Sequence, residues 1–427
     1  MTKIILVLLI FAAAAFSQSL LGVRYPTGIS YPASTNSARM GGVGTALKEP
    51  YLVSTLNPAN LGSINQSVYT LAINVDYVRV KENDLYADFS DFSPALVGFA
   101  FPLGKAGTFG ASFRQNGSNK YSFQDRAFLV RTENGLPLLN PTREDSIPVL
   151  QKFDNTISFS TWEFGWGREF FRRRLAVGAT YQHGQYKNRF YRSDVLERTG
   201  VSSGLDSIYF NQSSPAVRGG ISGQFGQLGL GVSATYPFMD ELKAHRSVQR
   251  LTMDRNKNYS VSQKHQFASF DTSYKMQLPP SGNIGVSWEF NQRLKTAADF
   301  SLTFWDNYYW TDAPLLTYDD GELANAFSMG AGVQFIPQPT LLSARYFQKA
   351  QYSGGFSYRQ LPIDGDYELS LALGMGFPLG ARGVFDVSVE TGWRRSDFES
   401  DIRENFLRIN FGISGGQVWR RASGNTW

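Results

Sequence analysis

The 427-residue sequence contains no cysteine. That absence excludes disulfides, thiolate metal sites and cysteine nucleophiles together. It also suits a chain that crosses an oxidising compartment. Histidine is nearly as scarce: His183, His245 and His265 are the full set, and no metal-ligand spacing links them. A hydrolase built on serine or aspartate with histidine needs an orienting third group, and no pattern here supplies one. We expect no enzyme activity, no metal and no cofactor. Charged residues make up 18% and the net charge is +5, spread along the chain. No nucleic-acid footprint follows from that. Long apolar runs are also missing: beyond the N-terminus none approaches the 18 residues of a transmembrane helix.

The N-terminus itself reads "MTKIILVLLIFAAAAFSQS". Lys3 precedes an apolar stretch from Ile4 to Phe16, too short to span a bilayer comfortably. Ala15 and Ser17 are the small residues a signal peptidase reads, so residues 1–17 are expected to be removed on export.

What the chain does have is period two. In "SVYTLAINVDYV", Tyr69, Leu71, Ile73, Val75 and Tyr77 share one face, and Thr70, Ala72, Asn74 and Asp76 the other. "TAADFSLTFW", "VFDVSVETGW" and "NFLRINFGI" repeat the pattern, with Phe300, Leu302, Val387 and Ile409 on the apolar side. A secreted sandwich or propeller would also alternate. Three features favour a membrane barrel instead. Aromatics stand at strand ends, as in two interfacial girdles. Full charges stand on the polar face, which fits a wet or plugged lumen. Short turns, such as 102–107, 224–227 and 378–383, alternate with long polar stretches at 119–152, 189–205, 241–263 and 309–323, as in outer-membrane barrels. The expected fold is all-β: a transmembrane antiparallel β-barrel of about 14 strands, with both chain ends periplasmic. Residues 18–65 would form an N-terminal hatch in the lumen, 66–414 the barrel, and 415–427 a periplasmic tail. The expected location is the outer membrane of a Gram-negative cell.

Other stretches yield less. "DRNKN" (254–258) lacks the sixth-position glycine and twelfth-position glutamate of a calcium loop. "YDDGE" (318–322) reads as a solvated acidic turn, and the arginines of "GREFFRRRLA" (167–176) as a headgroup-facing turn. Asp76, Asp386, Glu390 and Arg408 fall in the inward phase. Ion pairing that holds the wall or the plug, and a polar conduit for a solute, are both consistent with them. Asn116-Gly117 interrupts a strand-like run, which favours a bulge.

The segment before the first strand carries Ser37, Ala38, Arg39, then Gly41, Gly42, Gly44 and Ala46, then Asn57, Pro58, Ala59 and Leu61. This pattern resembles the N-terminal hatch of the FadL/TodX outer-membrane transporter superfamily, which includes PorV-type secretion proteins and uncharacterised relatives. The resemblance implies passive uptake of hydrophobic small molecules, such as long-chain fatty acids, through a hatch-plugged barrel. It also implies a side exit at a kinked third strand, here Asn116 and Gly117. The alternative it leaves open is a PorV-type barrel that binds a secretion-system protein. Outer-membrane lipids and lipopolysaccharide are expected partners. In the hatch, Asn57 suits an N-cap and Pro58 the first helical position, while Gly41, Gly42 and Gly44 permit close approach to the wall. The turn is expected to touch Asn74, Asp386 or Arg408. A packing element and a moving gate both fit these residues.

Overall fold

The computed structural model describes residues 29–30, 34–82, 85–130, 132–133, 136–137, 146–171, 174–196, 203–253, 259–307, 309–310, 323–339, 343, 345–380, 383–396 and 402–417. The signal segment, the DRNKN and YDDGE stretches and residues 418–427 lie outside the described residues.

Fourteen antiparallel strands close into a barrel. They are β1 (Ser67–Glu82), β2 (Leu85–Pro102), β3 (Thr108–Val130), β4 (Ser146–Phe170), β5 (Leu175–Leu196) and β6 (Ser203–Phe225). Two strands follow in halves: β7 (Leu228–Pro237 and Asp240–Met253) and β8 (Tyr259–Gln277 and Ser281–Glu289). Then come β9 (Leu294–Thr303, resuming at Tyr309–Trp310), β10 (Ala326–Phe335), β11 (Gln351–Gln360), β12 (Tyr367–Leu379), β13 (Gly383–Arg395) and β14 (Ile402–Gln417). β14 pairs with β1 from Ser67–Gln417 to Glu82–Ile402, which closes the wall. The breaks in β7 and β8 fall beside Pro237, Pro279 and Pro280, which lack the N–H a ladder needs.

The distribution of side chains is inverted relative to a water-soluble protein. On β1, Tyr69 and Leu71 are exposed while Thr70, Asn74 and Asp76 are buried. On β14, Leu407 is exposed beside buried Arg408 and Asn410. Phe99, Trp162, Phe164, Ile221, Ile284 and Leu373 continue an apolar outer surface around the barrel. A patch of that extent is unfavourable in water. Hydrocarbon removes the cost, and a closed barrel leaves no sheet edge unpaired within it. No helix among the described residues is long and apolar enough to cross a membrane, and the strands do so instead.

Two sequence expectations need correction. Most of the long polar stretches fold as strand extensions. The β4–β5 ladder runs unbroken from Phe170–Leu175 to Val149–Leu196, and β7 and β8 pair through much of 241–263. Backbone ladders need no apolar face, so the sheet continues where period two fades. The histidines therefore lie within strands: His183 and His245 on exposed faces and His265 in β8. His245 meets a carboxylate, Asp271, with 2.6 Å between Nδ1 and Oδ1. At the C-terminal end, β14 runs to Gln417, past the expected boundary at 414.

Candidate functional site

Residues 34–66 lie inside the barrel and follow its inner circumference. Helix α1 (Thr35–Arg39) is capped by Ser34, whose Oγ accepts from Ser37 N at 3.1 Å. Arg39 fastens it to the wall. Its Nε donates to Asn36 Oδ1 (2.7 Å), its Nη2 donates to Gln351 Oε1 on β11 (2.6 Å), and the same Nη2 lies 3.5 Å from Asp386 Oδ1 on β13. Gly41 and Gly42 then turn the chain with φ of 72° and 86°, a region most side chains avoid. A Cβ on Gly41 would also strike the backbone of β10 and β11. Gly44 N and Thr45 N both donate to Asp299 Oδ2 on β9, at 2.7 and 2.8 Å.

Asn57, Pro58 and Ala59 form the next anchor. Asn57 is fully buried. Its Oδ1 accepts from Ala59 N (3.0 Å) and caps a 3-10 turn over Pro58–Ser63, with Pro58 opening it. Its Nδ2 donates to Thr45 O (2.9 Å) and to Ile221 O of β6 (3.1 Å). Every polar group of this buried amide is thereby satisfied. The turn packs against β4, β5 and β6, where Gly178 leaves room for the Pro58 backbone and Gly220 for the Asn57 side chain. This corrects the expected neighbours: Asn74, Asp386 and Arg408 belong to other sectors of the wall. The turn's short tether to β1 still lets the chain lie across the lumen before it joins the wall.

Glu49, between these anchors, is half-buried. Burial pushes its carboxyl up to about 7, against the pull of Arg39 and Lys295.

The inward charges near the barrel closure form two cross-strand rungs. Arg408 on β14 joins Asp76 on β1 (Nε–Oδ1, 2.5 Å) and Glu390 on β13 (Nη1–Oε2, 3.1 Å). One step away, Arg394 on β13 joins Glu368 on β12 (2.6 Å) and Glu404 on β14 (3.3 Å), and Arg359 on β11 reaches Glu368 (3.3 Å). Phe406 stacks between Arg394 and Arg408, 4.3 and 5.5 Å from the two guanidinium carbons. The first rung crosses the β14–β1 closure, and the second runs from β11 to β14 beside it. Asp76, Glu390 and Arg408 thus sit together, while Asp386 stands apart and serves Arg39.

A cavity of about 390 Å³ lies against residues 41–56. Leu56, Phe159, Leu278, Trp305 and Leu361 contribute apolar side chains to a lining that also holds Arg114, Asn116, Arg218, Asp299, Arg359 and Glu368. Above it, Ile157, Tyr186, Ile208, Phe210, Leu242 and Met276 form an apolar strip on the inner face of β4–β8.

At Asn116 the wall changes. The β2–β3 ladder runs only from Pro102–Thr108 to Leu96–Arg114. Beyond it, β2 stays with β1 and β3 stays with β4. Each carries a bulge at this level. On β3 the bulged residue is Asn116, skipped between Gln115 and Gly117 in the β4 register. On β2 it is Ala95, skipped between Leu96 and Pro94 in the β1 register. The β3 bulge switches the inward set from Ser112 and Arg114 to Gly117 and Asn119. Ile29–Ser30 pairs antiparallel with Gly117–Ser118, along the β3 edge that β2 leaves.

Several of these residues escaped sequence reasoning. Arg39 stands in the sequence only as a motif position, and Asp299 only as a polar-side residue of "TAADFSLTFW". Glu368, Arg394 and Glu404 lie toward strand ends, where the alternation was not followed. Pro94 was a usable signal, because proline inside a strand marks an unpaired edge.

A closed fourteen-strand barrel with a polar interior and an apolar outer belt defines an outer-membrane β-barrel, and the protein resides in the outer membrane of a Gram-negative cell. The chain belongs to the BamG family, whose model matches residues 1–422. Among solved structures it is similar to a FadL homologue of Pseudomonas aeruginosa, with 13% identity over 91% of this chain and 98% of that one and a TM-score of 0.62. It is also similar to the toluene transporter TodX of P. putida (16% identity, 92% and 99% covered, TM-score 0.58). The toluene transporter TbuX of Ralstonia pickettii follows with 16% identity, 91% and 98% covered, and a TM-score of 0.56. At these identities the likeness is one of fold. No curated protein sequence matches.

Proposed function

We propose that this barrel passes hydrophobic small molecules, long-chain fatty acids among the candidates, across the outer membrane by diffusion. Residues 34–66 act as the hatch, and the parting of β2 and β3 acts as the side exit. The observation that carries this reading is the position of Asn116. It lines the lumenal cavity and is also the bulged residue where the β2–β3 ladder ends. A solute held against Leu56, Phe159 and Trp305 therefore adjoins the one place where the two strands part. The apolar strip above the cavity supplies a path for a molecule that prefers hydrocarbon to water, since its transfer there is favourable. The cavity itself mixes apolar and charged side chains, and it is the apolar strip on the inner face of β4–β8 that favours this over a barrel that binds a secretion partner. The solved relatives named as toluene transporters lend the same support.

The test removes the bulge. Deleting Asn116 restores an uninterrupted alternation along β3 and should let β2 extend its pairing along the β3 edge that Ile29–Ser30 now holds at Gly117–Ser118. Uptake of radiolabelled oleate and of toluene by cells carrying the deletion should fall at least tenfold, with barrel assembly unchanged by heat-shift electrophoresis. Unaltered uptake of both by an assembled deletion variant would rule out the side exit.

A further inference from the structure

The outer surface is not uniformly convex. Across β8–β12 it holds an apolar groove of about 690 Å³. Two rungs of the sheet form it. In one, Val286, Ala298, Ala331, Phe356 and Leu371 are successive cross-strand partners. In the other they are Trp288, Thr296, Val333, Gly354 and Leu373. Small side chains make the floor, and Trp288, Phe356, Leu371 and Leu373 make the rims. Gly354 is the lowest point: a Cβ there would meet only Leu373 Cδ2 (3.3 Å) and Ala372 O (3.7 Å).

Below the groove, at the short-turn end, stands the longest of the short-end connectors, between β10 and β11. It contains helix α2 (Tyr346–Lys349). Tyr346 and Phe347 are exposed and pack outward on Phe377 of β12, with centroids 6.2 and 6.4 Å apart. The Gln338 N–H donates to Gln348 O at 2.8 Å and clasps the connector to itself. Tyr352 Oη donates to Phe347 O at 3.0 Å, and Gly354 lies two residues further along β11. At about 3.3 Å per residue the groove floor begins some 7 Å from Tyr352. Arg345 is exposed beside it, and Lys349 closes the helix.

We propose that this face binds one phospholipid of the inner leaflet. Its acyl chain lies in the groove over Gly354, and its anionic headgroup meets Arg345 and Lys349. The groove opens onto the hydrocarbon that already covers the barrel, so an acyl chain is its natural occupant. Aromatic residues beside basic ones are the side chains that favour the headgroup level. The two halves are joined through Tyr352, so one lipid spans both. A chain lying in a groove keeps packing partners on three sides, where a flat wall offers one. The site faces away from the lumen and does not depend on what the barrel transports.

Native mass spectrometry of the detergent-extracted, folded barrel tests it, with palmitoyl-oleoyl phosphatidylglycerol as probe and the matching phosphatidylcholine as comparison. The wild type should keep one phosphatidylglycerol through detergent removal and keep phosphatidylcholine at least fivefold less. Gly354→Leu fills the groove from outside and should lower retained phosphatidylglycerol at least fivefold. The double change Arg345→Glu with Lys349→Glu, at an exposed and a half-buried position outside the groove, should erase the preference between headgroups. Heat-shift electrophoresis checks that each variant is a folded barrel. Equal retention by wild type and folded Gly354→Leu would overturn the groove, and an unchanged headgroup preference in the double variant would overturn the headgroup contact.

Discussion

Arg408 shows what a single inward residue does here. It is buried between Asp76 and Glu390, and both carboxylates depend on it. Removing one partner of a buried pair leaves charge uncompensated, at a cost of about 3–5 kcal/mol. Arg408→Ala should therefore destabilise the barrel by that order in urea unfolding from liposomes. Replacing all three residues together with apolar ones should cost much less. Glu49 gives a residue-scale prediction with a sign. Burial pushes its carboxyl from the ordinary glutamate range up to about 7. The stability it lends is fully present below about 4.5 and is lost as the pH rises through about 7. Protection factors across residues 40–60, taken relative to intrinsic exchange at each pH, should thus be higher at pH 5 than at pH 8, and Glu49→Gln should flatten that difference. The inward phase of Asp76, Asp386, Glu390 and Arg408 was legible from alternation. Their partners were not, because pairing depends on register between strands distant in sequence. Asp386 illustrates it: its partner, Arg39, lies outside the barrel wall altogether.

Strands were the most legible elements, since an apolar face toward lipid and a polar face toward a lumen write period two into the chain. Phe300 and Ser301 make the point testable. Phe300 lies outward, stacked on Phe327 at 6.2 Å, and Ser301 lies inward, its Oγ 2.9 Å from that of Ser328. Arginine at a mid-membrane lipid-facing site costs about 2–4 kcal/mol, and lumenal sites tolerate it better. Phe300→Arg should lose stability of that order in bilayer unfolding, and Ser301→Arg clearly less; equal losses would contradict the assigned faces. Beyond the bilayer the outer face turns polar and the alternation disappears, which is why the extensions of β4–β8 read as loops. Bulges were half legible. Gly117 flagged the β3 irregularity, although the bulged residue is Asn116. The matching bulge at Ala95 left no mark except the adjacent proline.

At the scale of the molecule, the fit between the lumenal segment and the wall sets the behaviour. Residues 34–66 reach all sectors of the inner circumference: β13 through Arg39, β9 through Gly44 and Thr45, β6 through Asn57, and β1 where Val53 N donates to Thr70 Oγ1 at 3.1 Å. Barrel closure itself runs through strand ladders that this segment does not join. The two can therefore be uncoupled. Gly178 on β5 is the place to do it, because its missing side chain is the space the Pro58 backbone occupies. Gly178→Val puts a β-branched residue on a strand, where its backbone is well accommodated, and leaves the 3-10 turn no room against the wall. The barrel should still assemble, with an unchanged heat shift. The turn should leave its position, and single-channel conductance in planar bilayers should rise severalfold over the wild type. Asn57→Ala should move conductance the same way but less, because it removes the cap and two lumenal hydrogen bonds without adding bulk. If Gly178→Val assembles with wild-type conductance, the turn does not obstruct the lumen. If neither variant assembles, residues 34–66 are part of the folding core of the barrel and not a plug seated within it.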